Sequence, residues 1–132
     1  MRNLATFALL ALIPSVSAQA ENTRAAVTGI FSDLYYNQEG GDLLGTELFI
    51  VLNGDGNYVV FFQHWEGGGD APVVVSVKVD PGNHVSFSIP EPLLGAGIYK
   101  GQISMTGFQG TWIQNGKITL PIKLERKKSY WQ

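Results

Sequence analysis

His64 and His84 are the only imidazoles in the chain, so any acid–base chemistry near neutrality would have to pass through one of them. A hydrolase built on this sequence would join one of them to a serine and an aspartate brought from distant positions, the logic of a nucleophilic triad. His84 lies just after a turn and beside Ser86, where a solvated strand residue is the plainer reading. No Gly-x-Ser-x-Gly elbow, phosphate-binding glycine loop or His-Glu-x-x-His helix accompanies either histidine. Asn53-x-Asp55-x-Asn57 imitates the start of an EF-hand loop. The sixth position is Tyr58 rather than Gly and the twelfth His64 rather than Glu, so the stretch reads as a hairpin loop. Gly67-Gly68-Gly69-Asp70 occurs once, whereas calcium-binding nonapeptides act as repeats. Glu39 and Asp42, with Glu47 nearby, could gather a cation or a basic partner, but carboxylates in a glycine-rich surface loop are ordinarily solvated. No catalytic residue, metal or cofactor is expected.

The residues suited to recognition are aromatic: Phe61, Phe62, His64, Trp65, Tyr99, Trp112, Tyr130 and Trp131. The stretch from Tyr58 to Trp65 breaks strand alternation, with Val59, Phe61 and Trp65 on one face and Tyr58, Val60 and Phe62 on the other, so something must cover both sides. Leu48 to Leu52 behaves alike. A loop such as residues 37–44, the C-terminal tail, a partner protein or a second copy would each serve. The tail sets Arg126, Lys127 and Lys128 ahead of Tyr130 and Trp131. It reads either as a contact for an anionic envelope surface or partner, or as rings packed over one end of the domain.

Period-two alternation and Gly, Pro and Asn punctuation recur at the spacing of an antiparallel meander, and no 3.6-residue stripe competes after the first twenty residues. Eight strands are predicted: about Ala25 to Tyr36, Gly45 to Leu52, Tyr58 to Glu66, Pro72 to Val79, His84 to Ile89, Ile98 to Met105, Phe108 to Gln114 and Lys117 to Arg126. Asn115-Gly116 predicts a two-residue type I′ hairpin, and Asp80-Pro81-Gly82-Asn83 a type II turn. Asn53 to Asn57 and Thr106-Gly107 close two further hairpins. Eight consecutive strands with one apolar face are best satisfied by closing the sheet, which removes both edges. The fold expected is therefore all-β: a single eight-stranded up-and-down antiparallel barrel.

The inward set expected is Val73, Val75, Val77, Val79, Val85, Phe87 and Ile89, then Tyr99, Ile103, Met105, Phe108 and Trp112, then Ile118, Leu120, Ile122 and Leu124. Gly101 and Gly110 also face inward, where they permit sharp coiling or leave a space. By strand count, length and turns the stretch Ala25 to Arg126 resembles the calycin-type barrels of lipocalins and avidins. Gly110-Thr111-Trp112 is similar to their Gly-x-Trp, although theirs lies on the first strand and this one on the seventh, so no ligand residue is carried over. Gly40 to Glu47 and Ser129 to Gln132 look like stretches of small exported proteobacterial proteins of unassigned function.

Met1 to Ala20 reads as an export signal: Arg2, an apolar run from Leu4 to Ile13, Pro14, and Ala18-Gln19-Ala20 as a small-x-small cleavage site. The apolar run is shorter than the roughly 18 residues of a spanning helix. The expected domains are a signal peptide, 1–20, and one barrel domain, 21–132, in the bacterial periplasm or medium. The absence of cysteine excludes disulfides, thiolate metal sites and an acylated cysteine. After cleavage, 8 basic and 11 acidic side chains give a net charge of −3, split as −8 up to Leu94 and +5 beyond it. The two halves attract within one sheet, or present an acidic and a basic surface to partners. An acidic exported domain is a poor match for nucleic acid, and stable membrane insertion is not expected. The chain thus reads as a non-enzymatic binding protein. Its partner is either a protein held by loops and an apolar strand face, as with inhibitors or immunity proteins, or a small apolar ligand entering the barrel mouth near Trp65, Trp112 and Tyr99.

Overall fold

The computed structural model describes residues 27–128; the expected signal peptide, 1–20, and Tyr130 and Trp131 lie outside the described residues. Nine strands follow in order: β1 (Gly29–Ser32), β2 (Tyr35–Asn37), β3 (Asp42–Leu52), β4 (Tyr58–Glu66), β5 (Val73–Val79), β6 (His84–Ile89), β7 (Gly97–Ile103), β8 (Gly107–Gln114) and β9 (Lys117–Lys127). Each of β3 to β8 pairs antiparallel with the next, and β1 pairs with both β3 and β9. The result is a closed eight-stranded antiparallel barrel with β2 as an addition beside β3. The long first strand of the sequence reading is divided. The pairs Ser32↔Glu47 and Tyr35↔Leu44 keep one register along β3. Between them the Asp33 carboxylate accepts the Thr46 N–H at 2.6 Å, and Gly45 sits at φ 112°, where a Cβ would press on the Asp33 carbonyl at 2.8 Å.

Closure is brief. β9 starts at Lys117, yet its pairs with β1 are Ser32↔Glu125, Phe31↔Arg126 and Ile30↔Lys127. Above them β9 carries Pro121, which has no N–H to offer a neighbouring strand and blunts an edge. At the closure the Arg126 guanidinium donates to the Thr28 carbonyl at 2.8 Å and the Ser104 carbonyl at 3.0 Å. Its central carbon stands 4.6 Å from the centre of the Phe31 ring. Gly29 sits at φ 138°, a conformation that disfavours a side chain, and a Cβ there would also meet this guanidinium at 2.5 Å. Arg126 is therefore a latch that ties β1, the β7–β8 turn and β9 together. Lys127 pairs with Glu125 at 3.0 Å.

The turns follow their side-chain chemistry. Asn115 and Gly116 both have positive φ, 52° and 73°, as the two-residue hairpin requires. In the Asp80–Asn83 turn the left-handed residue is Asn83, at φ 60°, and not Gly82. The Asp80 carboxylate accepts the Gly82 and His84 N–H groups at 2.8 and 2.9 Å, and Asn83 N–H reaches the Asp80 carbonyl at 3.0 Å. This is a type I-like turn followed by one left-handed residue, replacing the expected type II turn. Asn53 spends its side-chain oxygen on the Asp55 and Asn57 N–H groups, which is hairpin chemistry and leaves that oxygen on the backbone.

The barrel is filled by Phe31, Leu48, Ile50, Val60, Phe62, Phe87, Tyr99, Ile103, Phe108 and Leu124, all nearly solvent-free. Three expected core residues are not inside: Met105, Ile118 and Leu120 are 68%, 69% and 57% exposed. Met105 lies in the turn beyond β7. A bulge at Trp112/Ile113 pairs Ile113 with Ile118 and Trp112 with Leu120. Ile118 is thereby turned to the outer face, while Leu120 keeps its side but stands above the closure.

We expect Arg126→Ala to lower the unfolding free energy by about 2–4 kcal/mol in urea titrations, through lost charged hydrogen bonds and the lost ring contact. Arg126→Lys should recover only part of it, because an ammonium cannot fork to two carbonyls.

Candidate functional site

Four of the eight aromatic and imidazole candidates meet at the upper half of the barrel. Tyr99 stacks flat on Phe87 at 5.0 Å between ring centres, touches Phe62 at 5.2 Å and continues to Trp112 at 6.1 Å. His64 lies 6.1 Å from Trp112. The segment 90–96 caps this end: the Tyr99 hydroxyl donates to the Gly95 carbonyl at 2.9 Å, and the Trp112 indole N–H to the Ala96 carbonyl at 3.1 Å. A Cβ on Gly95 would fall 2.8 Å from the Phe62 ring, so the cap is seated directly on the aromatic column.

The space that Gly101 and Gly110 could have left is occupied. A Cβ at Gly101 would meet the Phe108 ring and the Gln109 carbonyl, and one at Gly110 the Phe108 ring and the Lys100 carbonyl. These glycines let adjacent backbones approach closely around Phe108, which is the coiling alternative. Trp65 cannot line a mouth with Tyr99 and Trp112 because it points from the other face of β4. It is bridged by Gly69, whose Cβ would lie 2.5 Å from the indole, and it donates to the Gln63 side chain at 3.3 Å.

His64 forms a relay across β3 and β4. Its Nδ1 shares a 2.8 Å hydrogen bond with the Thr46 hydroxyl, and its Nε2 lies 3.1 Å from a Glu66 carboxylate oxygen. Hydroxyl, imidazole and carboxylate thus align, but with Thr and Glu in place of the serine and aspartate considered from sequence. Thr46 is 6% exposed, and its own N–H and C=O are tied to Asp33, so the hydroxyl is a wall element with little room for an attacking trajectory. His84 pairs with Asp80 at 3.0 Å in the open β5–β6 turn. No group of three His, Asp or Glu side chains suited to a metal ion occurs among the described residues.

Phe61 belongs to a different surface. Register aligns Phe49 with Phe61 and Phe61 with Val74 across β3, β4 and β5. These side chains stand outward and are 41%, 43% and 51% exposed, with the two rings 5.9 Å apart. Val51 and Val59 continue the face, and Glu47 and Gln63 bond to one another at 2.9 Å on its upper side. A shallow hollow of about 160 Å³ lies between the rings and Pro72. Phe49 and Val74 were missing from the sequence-derived set. The doubly apolar 48–52 stretch was the signal for Phe49, and only strand register places Phe49 and Val74 beside Phe61.

Burial lifts the Tyr99 phenol well above the usual 10, with the Glu66 charge adding to the shift. The unfolded chain ionises this phenol first, so the associated stability is whole below pH 10 and falls as pH rises above it. We expect Tyr99→Phe to flatten the alkaline fall in urea stability, at a cost of about 1 kcal/mol near neutrality for the lost hydrogen bond. An unchanged alkaline slope would contradict this. Compared with protein-family models, curated proteins and solved structures, the chain has no match in any of the three.

Proposed function

We propose that this chain is a non-enzymatic, exported binding barrel of calycin-like type that holds a protein partner on the outer apolar face of β3, β4 and β5. One observation carries the reading: large side chains such as Tyr99 and Phe108 are buried in the interior, while Phe49, Phe61 and Val74 stand exposed in one row outside. Large apolar side chains in register on a rigid sheet are the raw material of a recognition patch, because they lose little conformational entropy on binding. The neighbouring carboxylate of Glu47 is engaged by Gln63, so docking there leaves one charge to desolvate.

An inhibitor or immunity protein is the kind of binder this face fits, its partner an enzyme of the periplasm or medium. A small apolar ligand inside the barrel has weaker support, since Phe108 fills the volume beside the paired glycines. A hydrolase built on His64 has weaker support too, since the Thr46 hydroxyl is buried in the wall.

Tagged processed protein used to capture partners from envelope extract, followed by native mass spectrometry, tests the proposal. We expect a stoichiometric protein in the eluate, lost with Phe49→Ser/Phe61→Ser while the thermal midpoint is kept or raised. A retained small molecule without a protein, or undiminished capture by the double variant, would overturn it.

A further inference from the structure

We propose that the outer face formed by β6 to β9, with Lys78 of β5, is a peripheral docking surface for an anionic phospholipid bilayer. It lies away from the Phe49–Phe61 row and does not depend on the partner reading above.

Strand register builds the face. Lys78 is opposite Ser86, and Ser86 is opposite Lys100, so two ammonium groups flank a hydroxyl along one row. One row below, Gln102 and Gln109 lead across to Lys123. The outward positions that β6, β7 and β8 contribute to these rows include no carboxylate. The acidic groups at the margins are already engaged: Asp80 with His84, and Glu125 with Lys127. Charge is thus segregated on the folded surface, although the whole chain is net acidic.

The shape argues for an extended anionic surface and against one chelated anion. Neighbouring strands are about 4.8 Å apart, so Lys78 and Lys100 leave the backbone about 10 Å from one another. The hollow between them, about 510 Å³ and bordered by His84, Ser86 and Gln102, is broad and open. A lipid surface is favoured over an acidic protein by the row above. There Ile98, Ile113 and Ile118 are opposite one another on the same outward face, with Ile98 41% and Ile118 69% exposed. Cations at headgroup level together with a few bare aliphatic side chains at the acyl boundary form the pattern of interfacial binding.

Co-sedimentation at low salt with vesicles of phosphatidylcholine and phosphatidylglycerol in equal parts, against pure phosphatidylcholine, tests the assignment. We expect binding to the anionic vesicles only, falling steeply with added salt. Each lysine near such a surface changes partitioning about fivefold, so Lys78→Gln/Lys100→Gln/Lys123→Gln should weaken binding roughly a hundredfold. These lysines are exposed, and an unchanged thermal midpoint would certify the fold. Ile98→Ser/Ile118→Ser should weaken binding as well, and Phe49→Ser/Phe61→Ser should bind like the parent. Absence of binding, equal binding to both vesicles, or indifference to the triple replacement would each overturn the proposal. Binding to soluble polyglutamate with none to vesicles would also overturn it and assign the face to an acidic protein.

Discussion

Everything in this barrel depends on a short closure between the two ends of the described chain. β1 is four residues long, yet it fills the gap between β3 and β9, and without it a continuous sheet would expose two long edges. Three residue pairs to β9 are few for such a task, and the Arg126 guanidinium reinforces them. Partial burial draws its pKa down, so the charge is held at a solvation cost, offset by two carbonyls and the face of Phe31. Gly29 is the complement of that arrangement, since it keeps the space beside the guanidinium open at a backbone φ of 138°.

Above the closure the same logic runs in reverse. β9 and β2 separate, Leu120 loses its cover, and the bulge at Trp112/Ile113 rotates Ile118 outward. The interior is sealed at that end by the 90–96 segment, which takes hydrogen bonds from Tyr99 and Trp112 and so anchors the cap on the aromatic column. The outer surface of the same barrel differs from side to side, with apolar side chains exposed on β3 to β5 and lysines exposed on β5, β7 and β9.

Much of this was legible in the residues. Alternation located all eight barrel strands, and Asn115-Gly116 identified its hairpin because both residues tolerate positive φ. Tyr99 and Trp112 were recognisable as one aromatic pair, since inward positions of adjacent strands meet, whereas the approach of Phe62 from β4 is a product of the curled sheet. The Asp80–Asn83 turn was misread because the Pro-Gly pair was weighed above the Asp80 carboxylate, which captures two N–H groups and shifts the left-handed residue to Asn83. Trp65 was grouped with Trp112 and Tyr99 although alternation from Phe62 already put it on the other side of its strand.

Local rules thus determined the elements: where strands begin, where the chain can turn, and that the middle strands are apolar on both sides. Those rules act over a few residues, through φ preferences and a two-residue side-chain period. What the tertiary structure alone decided is which apolar face stays bare, which core candidates fall outside the closure, and that Arg126 turns inward to Thr28, 98 positions away in the chain. These outcomes follow from which distant strands become neighbours and in what register. That choice is made by the closing of the whole ring and by no single segment of it.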